Sequence, residues 1–156
     1  MLELANLRPG ELLVDLGCGD GAILRVGAKR FDALALGYEV NPALVAKTLK
    51  LAREEGVGHL VRVIPQDLFK ADIRMADVVA LYLTPAANRR LAPLLLEQLR
   101  PTARVVTHNY PIPGWKPLMV ERVGNHYLYL YQPGLSAPFP ATRKTVRTTL
   151  PKLHRL

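Results

Sequence analysis

Three glycines and three carboxylates are the residues of this chain best placed to do chemistry. Gly17, Gly19 and Gly21 alternate within Val14-Asp15-Leu16-Gly17-Cys18-Gly19-Asp20-Gly21, between an apolar run and an amphipathic one. Glycines so spaced let the backbone approach a bulky ligand and adopt conformations that a Cβ resists. The helix expected next aims its unpaired N–H groups at whatever lies above the loop. Asp15 stands just before the loop. A carboxylate there repels a pyrophosphate, but attracts a cation or accepts from an amine. Glu39 ends the second apolar run, the place where α/β folds of this kind hold a ribose through its hydroxyls. Asp67 follows the third run and can accept from an adenine amine, with Leu68 and Phe69 beside the base. Together these residues describe a ligand with an amine or sulfonium, a ribose and a base.

Other nucleotide motifs fit less well. A dinucleotide site wants G-x-G-x-x-G, and Ala22 stands where its third glycine belongs. The phosphate-cradling G-x-x-x-x-G-K-[ST] is absent. The stretch after the fourth expected strand, Leu81-Tyr82-Leu83-Thr84-Pro85, is not the Asn/Asp-Pro-Pro-Tyr/Phe that grips a planar amino group.

Strands and helices alternate in the elements that must position these residues. Strands are expected over 11–16, 33–38, 59–64, 77–83 and 103–108, with helices over 20–30, 41–55 and 85–99. Asn41-Pro42 reads as an N-cap followed by proline at the first helical position. Residues 2–7 suggest a short lead-in helix, and the crossover before the fourth strand leaves little room for one. Strands 118–123 and 126–131 around Gly124-Asn125 read as an edge hairpin, with Tyr127, Tyr129 and Tyr131 as surface aromatics on one face. The fold class is α/β.

With 156 residues, 49% of them hydrophobic, the chain suits one domain with one core. Residues 1–132 are expected to form that core, and 133–156 a basic C-terminal arm holding Arg143, Lys144, Arg147, Lys152 and Arg155 without an acid. A net charge of +8 mildly favours acidic or nucleic-acid partners. No run is apolar enough to span a bilayer and no leader is visible, so a cytoplasmic place is expected. Cys18 is the only cysteine, which excludes an internal disulfide and a cysteine-based metal site. Abundant Arg, Leu and Pro with few Asn and Gln suit a thermophile.

The glycine loop resembles motif I of the class I S-adenosylmethionine-dependent methyltransferases, and the resemblance extends over roughly residues 8–132. It implies a Rossmann-like three-layer sandwich around a seven-stranded, mostly parallel sheet whose last strand is antiparallel. It also implies S-adenosylmethionine as cofactor, no metal, and a binding set of Asp15, Gly17, Cys18, Gly19, Gly21, Glu39, Val40, Asp67 and Leu68. Asp15 and Gly17 would meet the methionine part and Glu39 the ribose. Gly37-x-Glu39-x-Asn41-Pro42, Leu81 to Pro85 and Arg104 to Pro117 resemble, more narrowly, the small archaeal-type protein-lysine methyltransferases. Their mitochondrial relatives, which modify an ATP synthase ring protein, share these stretches. The chain departs from them with His108-Asn109-Tyr110, where a serine or threonine often ends the fifth strand.

A near-minimal core leaves the methyl group at an open mouth, which suits a long side chain on a macromolecule better than a buried small molecule. The expected acceptor is a protein lysine, with Tyr82, Thr84 and Asn109 orienting its amine. Asn88, His108 and Trp115 are open between site and structural roles. An RNA methyltransferase and a non-catalytic cofactor-binding protein are the alternatives. A monomer or a homodimer is expected.

Overall fold

The computed structural model describes residues 1–138, so the basic side chains expected in the C-terminal arm lie outside the described residues. Seven strands form one sheet: β1 (Leu12–Leu16), β2 (Leu34–Tyr38), β3 (Val61–Ile64), β4 (Val78–Leu81), β5 (Arg104–His108), β6 (Met119–Val123) and β7 (His126–Tyr131). Their order is β3-β2-β1-β4-β5-β7-β6. β7 runs antiparallel to both its neighbours, while the β1–β5 pairings are parallel. This is the three-layer architecture expected above.

The central strands are apolar on both faces, as parallel strands covered by helices must be. Leu13 of β1 faces a cluster with Val78, Ala80, Leu2 and Leu7. Its neighbours Val14 and Leu16 face the opposite cluster, with Val79, Leu81, Leu91 and Leu95. Helix α1 (Ala22–Phe31) and helix α2 (Pro42–Glu54) share one face of the sheet, where Leu24, Ala28 and Ala52 meet Ala35 and Val61. Helix α3 (Pro85–Gln98) covers the other face with Leu91 and Leu95. Leu99 is buried just beyond its end, and Leu94 packs from the rim.

Local chemistry sets several boundaries. Asn41 Oδ1 accepts from the Ala43 N–H at 3.0 Å, so Asn41-Pro42 starts α2 as its sequence implies. Along α2 only Thr48 and Ala52 are fully buried; Leu44, Val45 and Leu49 are less so. Residues 2–7 form turns rather than a helix, because Asn6 takes φ 50° and stops the winding after one turn. Helix α1 begins at Ala22, two residues later than expected, because Gly21 at φ 78° occupies its N-cap. Between β3 and β4 the crossover shrinks to one 3-10 turn over Leu68–Lys70.

The hairpin is the sheet edge, as expected, but its tyrosines do not share one environment. Tyr127 is exposed and Tyr129 half-buried, whereas Tyr131 is wholly buried. Tyr131 lies edge-on to Trp115 at 6.1 Å, and its hydroxyl accepts from the Ile112 N–H at 3.0 Å. It thereby anchors the proline-rich loop that replaces a helix between β5 and β6. The same cluster holds Ile112 and Trp115 in the core. Trp115 therefore pins this loop to the sheet. After β7 the chain forms the four-residue α4 (Pro133–Ser136), held by a Gly134 N–H to Pro101 carbonyl bond of 2.9 Å. The packed core thus continues beyond residue 132.

Candidate active site at the carboxyl ends of the strands

The strand order turns back at β1, where β2 lies on one side and β4 on the other. Ligands of open α/β sheets bind in the crevice beyond such a point. The glycine loop leaves β1 there. The N–H groups of Gly17 and Cys18 both donate to the Tyr38 carbonyl, at 2.9 and 3.0 Å, which ties the loop to the end of β2. Glu39 follows immediately. One of its oxygens accepts from the Gly19 N–H and the other from the Asn41 N–H, each at 3.2 Å. A carboxylate has about four acceptor sites, so Glu39 can stiffen the loop and still receive two hydroxyl protons.

The loop conformation depends on its glycines. Gly17, Gly19 and Gly21 have φ of 73°, 58° and 78°, a region that side-chain-bearing residues rarely enter. A Cβ on Gly19 would point into open space, so the chain leaves room on that side of the loop. A Cβ on Gly21 would lie 2.2 Å from Thr48 Cγ2. Thr48 is fully buried in α2, and its hydroxyl donates to the Gly19 carbonyl at 3.1 Å. Thr48 is a positioning residue that periodicity places only in an apolar stripe. A polar residue on that stripe is the one local signal of its role.

Asp15 is 2% exposed, and no hydrogen bond or ion pair relieves its carboxyl among the described residues. Burial, aided by the nearby Glu39 charge, pushes it up to about 7. Cys18 packs against Gly37, and burial with the Asp15 and Glu39 charges pushes its thiol up to about 12. Cys18 is therefore an unreactive packing group whose backbone forms the loop. Val40 is 64% exposed beyond Glu39. Asp67 caps the 3-10 turn by accepting from the Phe69 N–H at 3.0 Å. Leu68 and Leu83 each reach 3.2 Å from an ideal Cβ on Gly17, so both pack on the loop. The Arg90 guanidinium sits 3.8 Å above the Phe69 ring. Glu39 and Leu68 thus meet the glycine loop directly, while Asp67 begins the 3-10 turn that carries Leu68.

An Asp with its pKa raised favours the folded state most at low pH. The fold is expected to lose stability as pH rises from about 4 to 7, and Asp15→Asn should flatten that slope. A cationic ligand reverses the preference by favouring the carboxylate. Its affinity should rise with pH through 7, and binding at pH 6.5 should release a proton. Calorimetry in two buffers of different ionisation enthalpy checks this; zero release or proton uptake would reject the role of Asp15.

A cavity of about 460 Å³ opens beside this crevice, lined by Tyr82, Leu83, Thr84, Ala87, His108, Asn109 and Tyr110. Leu83 is shared with the glycine loop, so the two sites adjoin. All three expected acceptor-side residues line this cavity, with unequal freedom. Tyr82 is 58% exposed and stacks on His108, ring centroids 4.2 Å apart. Thr84 is the N-cap of α3, its hydroxyl accepting from the Ala87 N–H at 3.2 Å. Asn109, at φ 63°, accepts from the Tyr127 N–H at 3.0 Å, and its Nδ2 lies 3.4 Å from His126 Nδ1. Asn88 lies behind the cavity, wholly buried, and donates to the Tyr110 carbonyl at 3.0 Å. Its Nδ2 thereby fixes the loop, while its Oδ1 is buried without a partner among the described residues.

Known proteins resemble this chain in sequence and fold. Residues 15–119 match the model of the ANTKMT methyltransferase domain. The chain is 37% identical to a protein-lysine N-methyltransferase of Saccharolobus islandicus, over 84% of each chain. It is 34% identical to the adenine nucleotide translocase lysine N-methyltransferase of Mus musculus, over 88% of this chain and 60% of that protein. It thus spans little more than half the length of the mouse relative. A solved structure of an RNA methyltransferase from Salinibacter ruber, in complex with S-adenosyl-L-homocysteine, superposes with a TM-score of 0.85. That protein is 39% identical, with 90% of this chain and 91% of that one covered. The match over residues 15–119, with the 37% identity to a protein-lysine N-methyltransferase, places this chain in the ANTKMT methyltransferase-domain family.

Proposed function

We propose that this chain transfers a methyl group from S-adenosylmethionine to the ε-amine of a protein lysine. One observation carries the reading. The buried Asp15, unpartnered among the described residues, and the Glu39-held glycine loop adjoin an open, aromatic-walled cavity through Leu83. Asp15 suits the positive charge of the cofactor's methionine end, Glu39 the ribose hydroxyls, and Asp67 with Leu68 the adenine. When bound, the cofactor supplies an electrophilic sulfonium methyl. The chain's task is then to admit a neutral amine in line, about 3–3.5 Å from the methyl carbon. Lysine has an ordinary pKa near 10.4, which a partly dry channel lowers. The Tyr82 face also suits a methylated ammonium product through cation–π attraction.

The lone cysteine, buried and unpaired, suits a reducing cytoplasm, and the Arg- and Pro-rich composition suits a thermophile. Among the described residues no helix is long and apolar enough to cross a membrane.

The name of the Salinibacter ruber relative and the +8 net charge favour a second reading, RNA as acceptor. Label transfer separates the two. The protein is incubated with methyl-labelled S-adenosylmethionine and cell extract, and the product is split with protease or ribonuclease. Label lost to protease, with methyl mass increments on lysine, is expected. Label lost to ribonuclease would overturn the lysine reading, and cofactor binding without transfer would favour a non-catalytic binder.

Tyr82→Ala tests the cavity. Tyr82 is exposed, so stability should hardly change. Turnover should fall about tenfold, on the order of the 1.4 kcal/mol expected for one lost positioning contact. Cofactor affinity should stay within about twofold. Equal turnover in both proteins would remove Tyr82 from the acceptor site.

A further inference from the structure

His108 ends β5 in the acceptor cavity, in the position where the chain departs from its resemblance to the lysine methyltransferases. Its ring is the middle member of a stack. Tyr82 lies 4.2 Å away on one side and His126 of β7 lies 4.8 Å away, centroid to centroid. His108 also lines a second cavity of about 500 Å³ on the α1 side of the sheet, formed largely by Met1, Leu4, Ile23, Val26 and Leu128. It is thus a shared wall between the acceptor cavity and a separate opening.

We propose that His108 accepts the proton that the incoming lysine ammonium must lose before it can attack, and passes it to solvent through the second cavity. This rests on the lysine reading above. The ammonium gives one proton to the neutral imidazole and becomes an amine. The amine nitrogen then bonds the methyl carbon as the carbon–sulfur bond breaks, its electron pair staying on sulfur. The product is a methylated ammonium, and the imidazolium releases its proton to water.

The surroundings keep the imidazole ready for this. Burial, and then the neighbouring His126, hold His108 below its ordinary value. Tyr82 faces it from the end of β4. Glu121 of β6, Glu3 and Arg30 line the same second cavity. Burial and His126 both favour the neutral imidazole, the form that can accept a proton.

The test is the pH profile of transfer to lysine for wild type and His108→Gln, with ribonuclease-treated extract as acceptor source and label read on lysine. At pH 7 the variant should be at least about tenfold slower, as loss of a positioned base implies. Its rate should climb with pH and converge on wild type near pH 10, where the free amine needs no base. A ring midpoint for His108 below its ordinary value of about 6.5 in a histidine NMR titration is expected as well. Parallel profiles, equal rates at pH 7, or a ring midpoint above that pH would each overturn the role of His108 while leaving the lysine reading intact. No lysine label from wild type at any pH would overturn the lysine reading and this one with it. Unchanged cofactor affinity in His108→Gln shows that the fold survives; a loss of affinity equal to the loss of rate would overturn the proposal.

Discussion

Glu39→Gln should weaken S-adenosylmethionine binding by roughly 10³-fold, which corresponds to about 4 kcal/mol. Two contributions produce this. Hydrogen bonds from ribose hydroxyls to a charged carboxylate are worth about 1.5–3 kcal/mol each, and an amide offers one acceptor oxygen where the carboxylate offers two. The same oxygens also receive the Gly19 and Asn41 N–H groups, so the substitution loosens the loop that shapes the crevice. Global stability should change little, because Glu39 is only half-buried and contributes no core packing. Titration calorimetry beside thermal unfolding reads both quantities. An affinity within about threefold of wild type would refute the ribose role, and a large drop in melting temperature would make Glu39 a structural residue instead.

Gly21→Ala should destabilise the fold by about 3 kcal/mol, through left-handed strain and a clash in a packed site. Gly21 has φ 78°, and the new Cβ would sit 2.2 Å from Thr48 Cγ2 and 2.8 Å from its Oγ1. Thr48 cannot swing away cheaply, since it is fully buried and bonded to the Gly19 carbonyl. A melting temperature roughly 6–12 °C lower is expected for a domain of this size. A double-mutant cycle divides the cost. In a Thr48→Ala background the overlap largely disappears, and the penalty of Gly21→Ala should fall to about 1 kcal/mol of backbone strain. Equal penalties in both backgrounds would show that the contact with Thr48 carries no energy.

Both effects pass through groups that local patterns weigh differently. The glycine spacing and the strand-end acids are legible in the chain because each depends on nearby residues: an apolar run, a loop, then a helix start. The Asn41 cap and the edge hairpin are legible for the same reason. The lead-in helix expected over 2–7 does not form, because one left-handed residue, Asn6, ends it. Tyr131 of β7 escapes a surface assignment because alternation fixes which side chains share a face, not what covers that face. Only the returning proline-rich loop, with Ile112 and Trp115, makes Tyr131 a core residue.

The sequence by itself determined the α/β class, the glycine loop, the carboxylates at three strand ends and the resemblance to methyltransferases. These follow from periodicity and short-range spacing, which the chain carries locally. Tertiary structure alone decided which of the candidate side chains remain available for chemistry. Thr84 accepts at a helix cap and keeps its O–H, Asn109 holds β7 through its amide oxygen, and His108 is stacked between Tyr82 and His126. It also decided that Asp15 is buried with no partner among the described residues and that Thr48 holds the loop. Burial and hydrogen-bond partners arise from residues distant in the chain, so no local pattern encodes them.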